Sequence, residues 1–171
     1  PVRGHIIRPL LMTGRDEILR YLSDRTLDFC VDSTNLGNGH TRNYLRNEIM
    51  PRLKEGINPR APEHIAAAGR MAAETEAFME ETAGAVLRDV MIQSDEDAGK
   101  LLLRRRILKE KPQILRRYVI IEGLKLLGVP LKDWGEAHFE EIDRALSAPA
   151  GVHLDLPGGV TADNSRGEIT I

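Results

Sequence analysis

The residues with the clearest potential for chemistry follow a polar, glycine-bearing loop, "DSTNLGNGH", at residues 32–40. The next stretch, "TRNYLRNEIMPRL", predicts a helix over residues 41–56, with Arg42 in its first turn and Arg46 one turn later. A helix start offers unpaired backbone N–H groups and a positive dipole end, which suit an anion. Because Arg42 and Arg46 share one side of the helix, both guanidinium groups can reach a phosphate or a carboxylate. The pattern therefore indicates an anion site.

The asparagines around these arginines allow two interpretations. Asn35 and Asn43 can hydrogen-bond the edge of a base, or they can hold the loop itself. In a purely structural alternative, Asp32 and Asn35 form an Asx-type turn and Thr41 only caps the helix. The two arginines are then solvated, or paired with Asp32 and Glu48. The residue types alone leave both alternatives open.

A second candidate region is defined by charge. Residues 100–125 contain nine basic and two acidic residues, whereas the whole chain has a net charge of -2. Such a local excess predicts a face that binds a polyanion. Residues 61–99 contain two basic and nine acidic residues, so mutual neutralisation of the two blocks is the alternative. The low aromatic content of 4% argues against a platform for stacking unpaired bases.

Other catalytic signatures are missing from the sequence. The five histidines have no metal-ligand spacing, and no Walker-type phosphate loop or nucleophile elbow is present. The single cysteine, Cys30, excludes an internal disulfide and fits a reducing compartment. Its context, "LDFCV", predicts a short extended segment with a buried thiol. No apolar run is long enough to cross a membrane.

The elements that position these residues are predicted to be mainly helical. Thr13 followed by Asp16 resembles a helix start, and Ile18, Leu19 and Leu22 then form one apolar stripe. Pro51 should kink the 41–56 helix or mark a restart, because it lacks a backbone donor. The buried side of that helix is predicted from three apolar residues: Leu45, Ile49 and Leu53.

After a break at "INPRAP", the pattern predicts one alanine-rich helix over residues 62–93, with Pro62 in its first turn. At about 1.5 Å per residue it spans over 40 Å, which suits a link between two units. No a/d seam specifies a dimer, so a homodimer through this helix stays open. The predicted buried stripe consists of Ile65, Ala68, Ala72, Met79, Val86 and Val90.

The remainder predicts further helices and a small sheet. A short strand or turn near residue 100 precedes one or two helices, the second beginning at Pro112 and ending before Gly128. An amphipathic helix follows, with Phe139, Ile142 and Leu146 on its apolar side. The tail alternates apolar and polar residues around "PGG" and "NSRG", which predicts two or three antiparallel strands.

Three motifs, taken in order, resemble the C-terminal part of the tRNA(Ile)-lysidine synthase family. They are "RPLL" at residues 8–11, "DSTN" at 32–35 and "RNYLRNEIMPRL" at 42–53. The matching positions are Arg8, Pro9, Leu10, Leu11, Asp32, Asn35, Arg42, Asn43, Arg46, Pro51 and Leu53. The first 60 residues match specifically, whereas the later residues are similar in layout only.

The resemblance implies a cytoplasmic, ATP- and Mg²⁺-dependent ligase whose partners are tRNA(Ile) and free lysine. ATP adenylates the wobble cytidine, C34, of the CAU anticodon, and the lysine ε-amine then displaces AMP to form lysidine. The family's Ser-Gly-Gly-x-Asp-Ser nucleotide loop does not occur here. We therefore expect the chain to be a fragment that is inactive alone, with ATP and Mg²⁺ bound mainly by a preceding domain.

The resemblance also implies roles for individual residues, with no metal ligand among them. The predicted catalytic residues are Arg42, Asn43 and Arg46. The predicted substrate-binding residues are Asp32, Asn35, Arg104, Arg105, Arg106, Lys109, Arg116 and Arg117. Lys111 belongs to the same basic segment, and pairing of Arg116 and Arg117 with the acidic long helix is the alternative to RNA contact.

The predicted fold is mainly α with a small terminal antiparallel β element, in the α+β class. A helical substrate-binding domain is expected to follow the tail of an α/β ATP-pyrophosphatase domain. The predicted divisions are residues 1–60 for that tail, 61–93 for the linking helix and 94–171 for a tRNA-binding domain. The alternatives are a non-catalytic helical interaction module or another ATP-pyrophosphatase-type tRNA modifier, such as a thiolase. The absence of C-x-x-C pairs weighs against a thiolase.

Overall fold

The computed structural model describes residues 2–3, 6–30, 37, 39–95 and 98–171. The chain divides into two compact units, Pro1–Ile65 and Ala66–Ile171. Among the described residues of the first unit, two short strands pair in antiparallel fashion, and the other elements are helical. These elements are β1 (Val2–Arg3), β2 (Ile6–Ile7), a 3₁₀ turn (Pro9–Met12), α1 (Arg15–Asp24), α2 (Thr41–Tyr44), a π-helical turn (Leu45–Ile49), α3 (Met50–Gly56) and the start of α4 (Ala61–Val90).

The first long helix of this unit, α1, agrees with its predicted apolar stripe but not with its predicted cap. Ile18, Leu19 and Leu22 are half-buried, which confirms the stripe. The N-cap is Gly14 rather than Thr13, and it makes no side-chain capping bond. No side chain caps the helix start. The negative charges of Asp16 and Glu17 in the first turn stabilise it through the helix dipole.

The predicted buried strand around Cys30 is wrong. Residues 27–30 form no strand, and the Cys30 thiol is exposed. The apolar neighbours Leu27 and Phe29 are 51% and 52% exposed, so no apolar layer covers this segment among the described residues. The alternation of side chains predicted a strand, but a strand also needs a partner edge and a covered face.

The predicted helix over residues 41–56 exists, but a π-helical turn interrupts it. The backbone N–H of Met50 donates to the carbonyl of Leu45, five residues back. This wide turn lies immediately before Pro51, which lacks an N–H group, and the predicted irregularity is thereby confirmed. The predicted capping by Thr41 is wrong, since His40 is the N-cap and no side chain caps this helix start.

The second unit consists of helices packed against an antiparallel sheet. After α4, its elements are β3 (Met91–Asp95), β4 (Lys100–Arg104), α5 (Arg105–Lys109), α6 (Gln113–Leu126), α7 (Glu136–Ser147), β5 (His153–Asp155), a 3₁₀ turn (Pro157–Gly159), β6 (Thr161–Asn164) and β7 (Glu168–Thr170). The sheet order is β3-β4-β7-β6-β5, and every paired strand is antiparallel.

The core of the second unit lies between this sheet and its helices. In β4, Leu101 and Leu103 are fully buried and Leu102 is half-buried, as expected for alternating faces. Helix α6 comes so close to β4 that a Cβ atom on Gly123 would lie 2.5 Å from Leu101 Cδ2. The helices contribute Ala83, Leu87, Val90, Leu108, Val119, Ile120, Leu124, Phe139, Ile142 and Leu146 to the same core.

The predicted stripe of α4 is buried only toward the end of the helix. Val90 is fully buried and Met79 and Val86 are half-buried, in agreement with the prediction. Ile65, by contrast, is 53% exposed. Ala68 and Ala72 are also exposed. The sheet and α6 pack against the last turns of α4, so helical periodicity alone overestimated how far the buried face extends.

The boundaries in the second unit were predicted well, with one omission. Helix α6 begins after Pro112 and ends before Gly128, which has φ of +70°, and the tail forms the three predicted strands. Strand β3 was missed, because residues 91–93 continue the helical pattern of α4. The observed fold is mainly helical with a small antiparallel sheet, compatible with the predicted α+β class. Within the described residues, no helix has the length and apolar character needed to cross a bilayer.

Candidate functional site

The side chains of Arg42 and Arg46 are exposed on the helical stretch that begins at Thr41. Within the described residues, neither guanidinium makes a hydrogen bond or an ion pair. The ion pair with Glu48 comes instead from Arg52, whose Nη2 lies 3.5 Å from Glu48 Oε2. The alternative in which Glu48 neutralises Arg42 or Arg46 is therefore not observed. Two cations remain available to an anion from outside.

Asn43 lies between these arginines in sequence but differs from them in burial. It is 8% exposed, and its Nδ2 donates to the carbonyl of Gly37 at 3.1 Å. Of its two predicted uses, the contact made within the described residues is the one that holds the loop. The predicted binding residues Asp32 and Asn35 lie outside the described residues.

In the basic segment, Arg105 is tied into the fold. Its Nε donates to the carbonyl of Leu146 at 2.8 Å and its Nη1 donates to the carbonyl of Ser165 at 2.9 Å. Nη2 donates to the carbonyl of Ala148. The carbonyls of Leu146 and Ala148 lie at the end of α7, where helix carbonyls lack intrahelical partners. The carbonyl of Ser165 lies in the β6–β7 turn. The geometry favours a structural role for Arg105, and its predicted contact with RNA stays untested.

Arg116 is equally engaged. Its Nε and Nη2 donate to the two carboxylate oxygens of Asp143 at 2.5 and 2.9 Å, which joins α6 to α7. Its Nη1 donates to the carbonyls of Lys109 and Lys111 at 3.0 and 2.8 Å. A guanidinium held on every nitrogen is poorly placed to bind a phosphate as well, so a structural role is favoured here too.

Arg117 forms a looser contact with α7. Its Nη1 lies 3.5 Å from Glu136 Oε1, and its Cζ lies 5.1 Å from the centre of the Phe139 ring. The alternative in which Arg116 and Arg117 pair with the acidic long helix is wrong, because both of their carboxylate partners are on α7. The long helix instead meets α6 through Lys125 and Tyr118.

Lys125 and Tyr118 connect α6 to the acidic face of α4. Lys125 Nζ lies 2.7 Å from both Glu122 Oε1 and Glu80 Oε1, and these hydrogen bonds raise the pKa of Lys125. The Tyr118 hydroxyl donates to Glu76 Oε2 at 2.9 Å, which raises the pKa of that phenol. The acidic residues 61–99 and the basic residues 100–125 thus neutralise each other in part. The ion pair between them is made by Lys125, the last residue of the basic block.

Two of the predicted RNA-binding cations are exposed and have no side-chain partner within the described residues. Arg104 donates from Nη1 to the carbonyl of Asp89 at 2.8 Å. Arg106 and Lys109 are exposed and make no hydrogen bond or ion pair through their side chains within the described residues. They are three residues apart on α5, so they lie on neighbouring positions of one helix side. Their contact with a polyanion stays a prediction.

A cleft of about 260 Å³ lies beside Arg117, between α6 and α7. Its lining residues are Gln113, Ile114, Arg117, Glu136, Phe139, Glu140 and Asp143. Three of these side chains are carboxylates, and two of the carboxylates already pair with arginines. Such a lining does not suit a phosphate. Within the described residues, no group of three or more His, Cys, Asp or Glu side chains is arranged to hold a metal ion.

Sequence reasoning missed two residues whose long-range hydrogen bonds hold the second unit together. Asn164 is buried, and its Nδ2 donates to the carbonyls of Ala145 and Pro149 at 2.7 and 3.0 Å. In the sequence it stood in "ADNSRG", where it resembles an ordinary turn residue. Asp143, the partner of Arg116, stood on the polar side of an amphipathic helix. Neither residue carried a local signal, because both partners are distant in sequence.

Comparison with known proteins gives matches to both units. A family model described as a PP-loop domain matches residues 2–53. The tRNA(Ile)-lysidine synthase of Oceanobacillus iheyensis is 30% identical over 171 residues, which cover 98% of this chain and 36% of that protein. The enzyme of the same name from Geobacter sulfurreducens is 30% identical over 167 residues, or 97% of this chain and 35% of that protein.

A shorter match has a higher sequence identity. The tRNA(Ile)-lysidine synthase of Parabacteroides distasonis is 44% identical over 75 residues, which cover 40% of this chain and 17% of that protein. The chain spans about a third of the length of the first two relatives. The matches over nearly the full chain extend the similarity beyond the motif-bearing first 60 residues. The chain belongs to the tRNA(Ile)-lysidine synthase family.

Proposed function

We propose that this chain is the C-terminal portion of an ATP-dependent ligase that attaches lysine to C34 of tRNA(Ile) with a CAU anticodon. The proposed reaction passes through an adenylated cytidine, from which the lysine ε-amine displaces AMP. The PP-loop match at residues 2–53 and the names of the relatives support ATP use and tRNA modification. We further propose a cytoplasmic location for the whole enzyme.

The observation that carries the proposal is the state of Arg42 and Arg46. Both lie inside the segment that the PP-loop model matches, and both are exposed without a partner among the described residues. Arg52, on the same helical stretch, by contrast pairs with Glu48. Two free guanidinium groups one turn apart suit an ATP phosphate, the carboxylate of lysine or an RNA phosphate. The proposed role of Arg42 and Arg46 is to bind and orient that anion.

The exposure of apolar side chains supports a larger catalytic domain around the first unit. In the described part of this unit no apolar side chain is buried, and Asn43 alone among its residues is. Its exposed large apolar residues are Ile6, Ile7, Leu10, Leu11, Tyr21, Leu27, Phe29, Tyr44, Leu45, Ile57 and Ile65. An apolar surface of this kind marks an interface. We propose that residues 1–60 form the tail of an ATP-pyrophosphatase domain whose remainder covers it.

In the second unit we propose that Arg106 and Lys109 contact tRNA phosphates. Both cations are exposed at the surface of α5, and their side chains have no acceptor among the described residues. Phosphate contacts of this kind position an RNA without reading its sequence. Residues 94–171 would then hold the tRNA, and residues 61–93 would link this domain to the catalytic one.

ATP and Mg²⁺ are the proposed cofactors of the whole enzyme. Bound Mg²⁺ neutralises charge on the transferring phosphates. The described residues of this chain offer no cluster that fits such an ion, so we assign no metal ligand here. The part proposed for this chain is to hold anions through arginine and lysine, and the isolated chain is expected to make no lysidine.

The test is incorporation of labelled lysine into tRNA(Ile) by the full-length protein that contains this chain. Wild type should transfer label in the presence of ATP and Mg²⁺. Arg42→Ala should reduce the rate by about 100-fold or more, the usual effect of removing one preorganised charge-stabilising donor. Lys54→Ala, an exposed cation on α3, is the control and should stay within twofold of wild type. Absence of label with wild type would overturn the proposal.

A second candidate function is favoured by the outer surface of α4. Met71 and Phe78 are 68% and 65% exposed, seven residues apart and therefore on one side of the helix. A non-catalytic interaction module whose long helix binds a partner predicts such exposed apolar residues and no affinity for tRNA. A filter-binding measurement with tRNA(Ile) separates the two candidates, because the ligase requires binding and the module does not.

A further inference from the structure

The turn between β6 and β7 lies against the start of α5, although the two are far apart in sequence. The backbone N–H of Arg105 donates to the carbonyl of Gly167 at 3.0 Å, and Arg105 Nη1 donates to the carbonyl of Ser165 at 2.9 Å. The backbone N–H of Ser165 donates to the carbonyl of Glu168 at 2.9 Å, which closes the turn. Backbone bonds as well as the Arg105 side chain therefore hold the turn in place.

Arg166 is the charged residue of this turn. It stands between the two residues whose carbonyls accept hydrogen bonds from Arg105, so its backbone is placed beside the start of α5. Arg166 is exposed, and its side chain makes no hydrogen bond or ion pair within the described residues. Its guanidinium is therefore available to an anion from outside.

The exposed cations of α5 belong to the adjoining segment. Arg106 directly follows Arg105, and Lys109 lies three residues further along the helix. Because α5 and the β6–β7 turn meet at Arg105, Arg106 and Arg166 lie on neighbouring segments at one end of the sheet. The fold thus adds to the basic segment a cation that the sequence places outside it.

We infer that Arg166 is a further phosphate contact for tRNA, so that α5 and the β6–β7 turn together form the tRNA-binding surface of the second unit. This inference rests on the proposed function, in which Arg106 and Lys109 contact tRNA phosphates. An arginine can bind a phosphate through two parallel N–H···O bonds, and its charge releases counterions from the RNA. Contacts from two elements orient an RNA strand, whereas contacts from one short helix leave it free to turn.

Two exposed carboxylates adjoin this surface and give the inference a prediction of opposite sign. Glu110 follows Lys109, and Glu168 begins β7 directly after the turn. Neither forms an ion pair with Arg106, Lys109 or Arg166 within the described residues. A carboxylate repels a phosphate, so Glu168→Gln should strengthen the binding of tRNA. Arg166→Gln should weaken it.

The test is filter binding of tRNA(Ile) to the full-length protein over about 50–200 mM salt. Arg166→Gln should lower the affinity by about fivefold near 0.1 M salt. It should also lower the slope of log affinity against log salt by about 0.7–0.9, the value for one lost phosphate contact. Arg166→Lys keeps the charge and should restore most of the slope. Arg70→Gln, at an exposed arginine of α4, is the matched control and should leave the slope unchanged.

An unchanged slope in Arg166→Gln, or equal changes in Arg166→Gln and Arg70→Gln, would overturn the inference. Weaker binding by Glu168→Gln would also overturn it. If Arg166→Gln does not fold, as judged by circular dichroism, Arg166→Ala replaces it. Failure of both variants to fold would mean that Arg166 serves the fold, and the inference would be lost.

Failure of the proposed function is a separate outcome, because wild type would then transfer no labelled lysine to tRNA(Ile). Transfer by wild type together with an unchanged salt dependence in Arg166→Gln would remove only the role of Arg166.

Discussion

The guanidinium of Arg116 and the carboxylate of Asp143 form a two-point contact between α6 and α7. Nε lies 2.5 Å from Oδ1 and Nη2 lies 2.9 Å from Oδ2. Both side chains are largely covered, at 18% and 22% exposure. Asp143→Asn should therefore destabilise the chain by about 2 kcal/mol, the usual range for hydrogen bonds to charged groups. Urea unfolding followed by circular dichroism measures this change.

An exposed ion pair on the same helix provides the control. Arg144 Nη2 and Glu141 Oε1 are 4.0 Å apart, with the arginine side chain 74% exposed. Glu141→Gln should change stability by less than about 0.5 kcal/mol, because solvent screens exposed pairs. Equal effects of Asp143→Asn and Glu141→Gln would show that the α6–α7 contact contributes no more than a surface pair.

Arg105 should matter for stability rather than for RNA affinity. Arg105→Lys removes the planar fork that donates to the carbonyls of Leu146, Ala148 and Ser165. We expect a loss of about 2 kcal/mol in unfolding free energy, since the partly buried carbonyls of Leu146 and Ala148 lose their charged donor. The affinity of the folded variant for tRNA should remain within twofold of wild type, measured by filter binding. A tenfold loss of affinity in a variant of native stability would restore the predicted RNA contact.

Arg106 and Lys109 should show the opposite pattern. The double variant Arg106→Ala and Lys109→Ala should weaken binding of the full-length protein to tRNA. It should also flatten the plot of log affinity against log salt by about 0.7–0.9 per lost phosphate contact. Lys54→Ala with Lys132→Ala removes the same charge from other exposed positions and is the control. If both double variants change the slope equally, net charge rather than α5 determines the affinity.

His153 should titrate above its ordinary range. Its Nδ1 lies 2.7 Å from Asp163 Oδ1, and this hydrogen bond, followed by the charge of Asp163, raises the pKa of His153 above 6.5. A raised folded-state pKa means that the contribution to stability is complete below pH 6.5 and is lost as the pH rises through the folded value. NMR titration of the imidazole should show the higher pKa, and Asp163→Asn should return it toward 6.5.

The residue on the other side of this histidine provides the comparison. Asp155 Oδ1 lies 3.5 Å from His153 Nε2 and contributes less to the raised pKa than Asp163 does. Asp155→Asn should therefore lower the pKa of His153 less than Asp163→Asn. A larger effect of Asp155→Asn would mean that the hydrogen bond to Asp163 does not form in solution.

The exposed thiol of Cys30 tests the proposed extent of the catalytic domain. In this chain Cys30 and its neighbours Leu27 and Phe29 are exposed, so a thiol reagent should label Cys30 without denaturant. In the full-length protein the remainder of the PP-loop domain should cover this surface and slow labelling by tenfold or more. Equal labelling rates in the two proteins would contradict the proposal that this surface is an intramolecular interface.

The sequence by itself determined the features that depend on local chemistry. Apolar periodicity located α1 and α7. Pro112 and Gly128 marked the limits of α6, because proline suits a helix start and glycine readily adopts the positive φ at which helices end. The motifs at residues 8–53 led to the family, since they preserve residue types and spacing. The exposure of both Arg42 and Arg46 also agrees with their predicted place on one side of the 41–56 helix.

Only the tertiary structure decided which cations are free. In the sequence, Arg105 and Arg106 are adjacent and equivalent, yet Arg105 donates to carbonyls 41, 43 and 60 residues away whereas Arg106 is exposed. Those carbonyls come near Arg105 because α7 and the β6–β7 turn meet the start of α5. Local sequence patterns do not encode such long-range encounters, since the packing of several elements brings the partners together. For the same reason the sequence could not show that Cys30 is exposed or that α4 is buried only near its end.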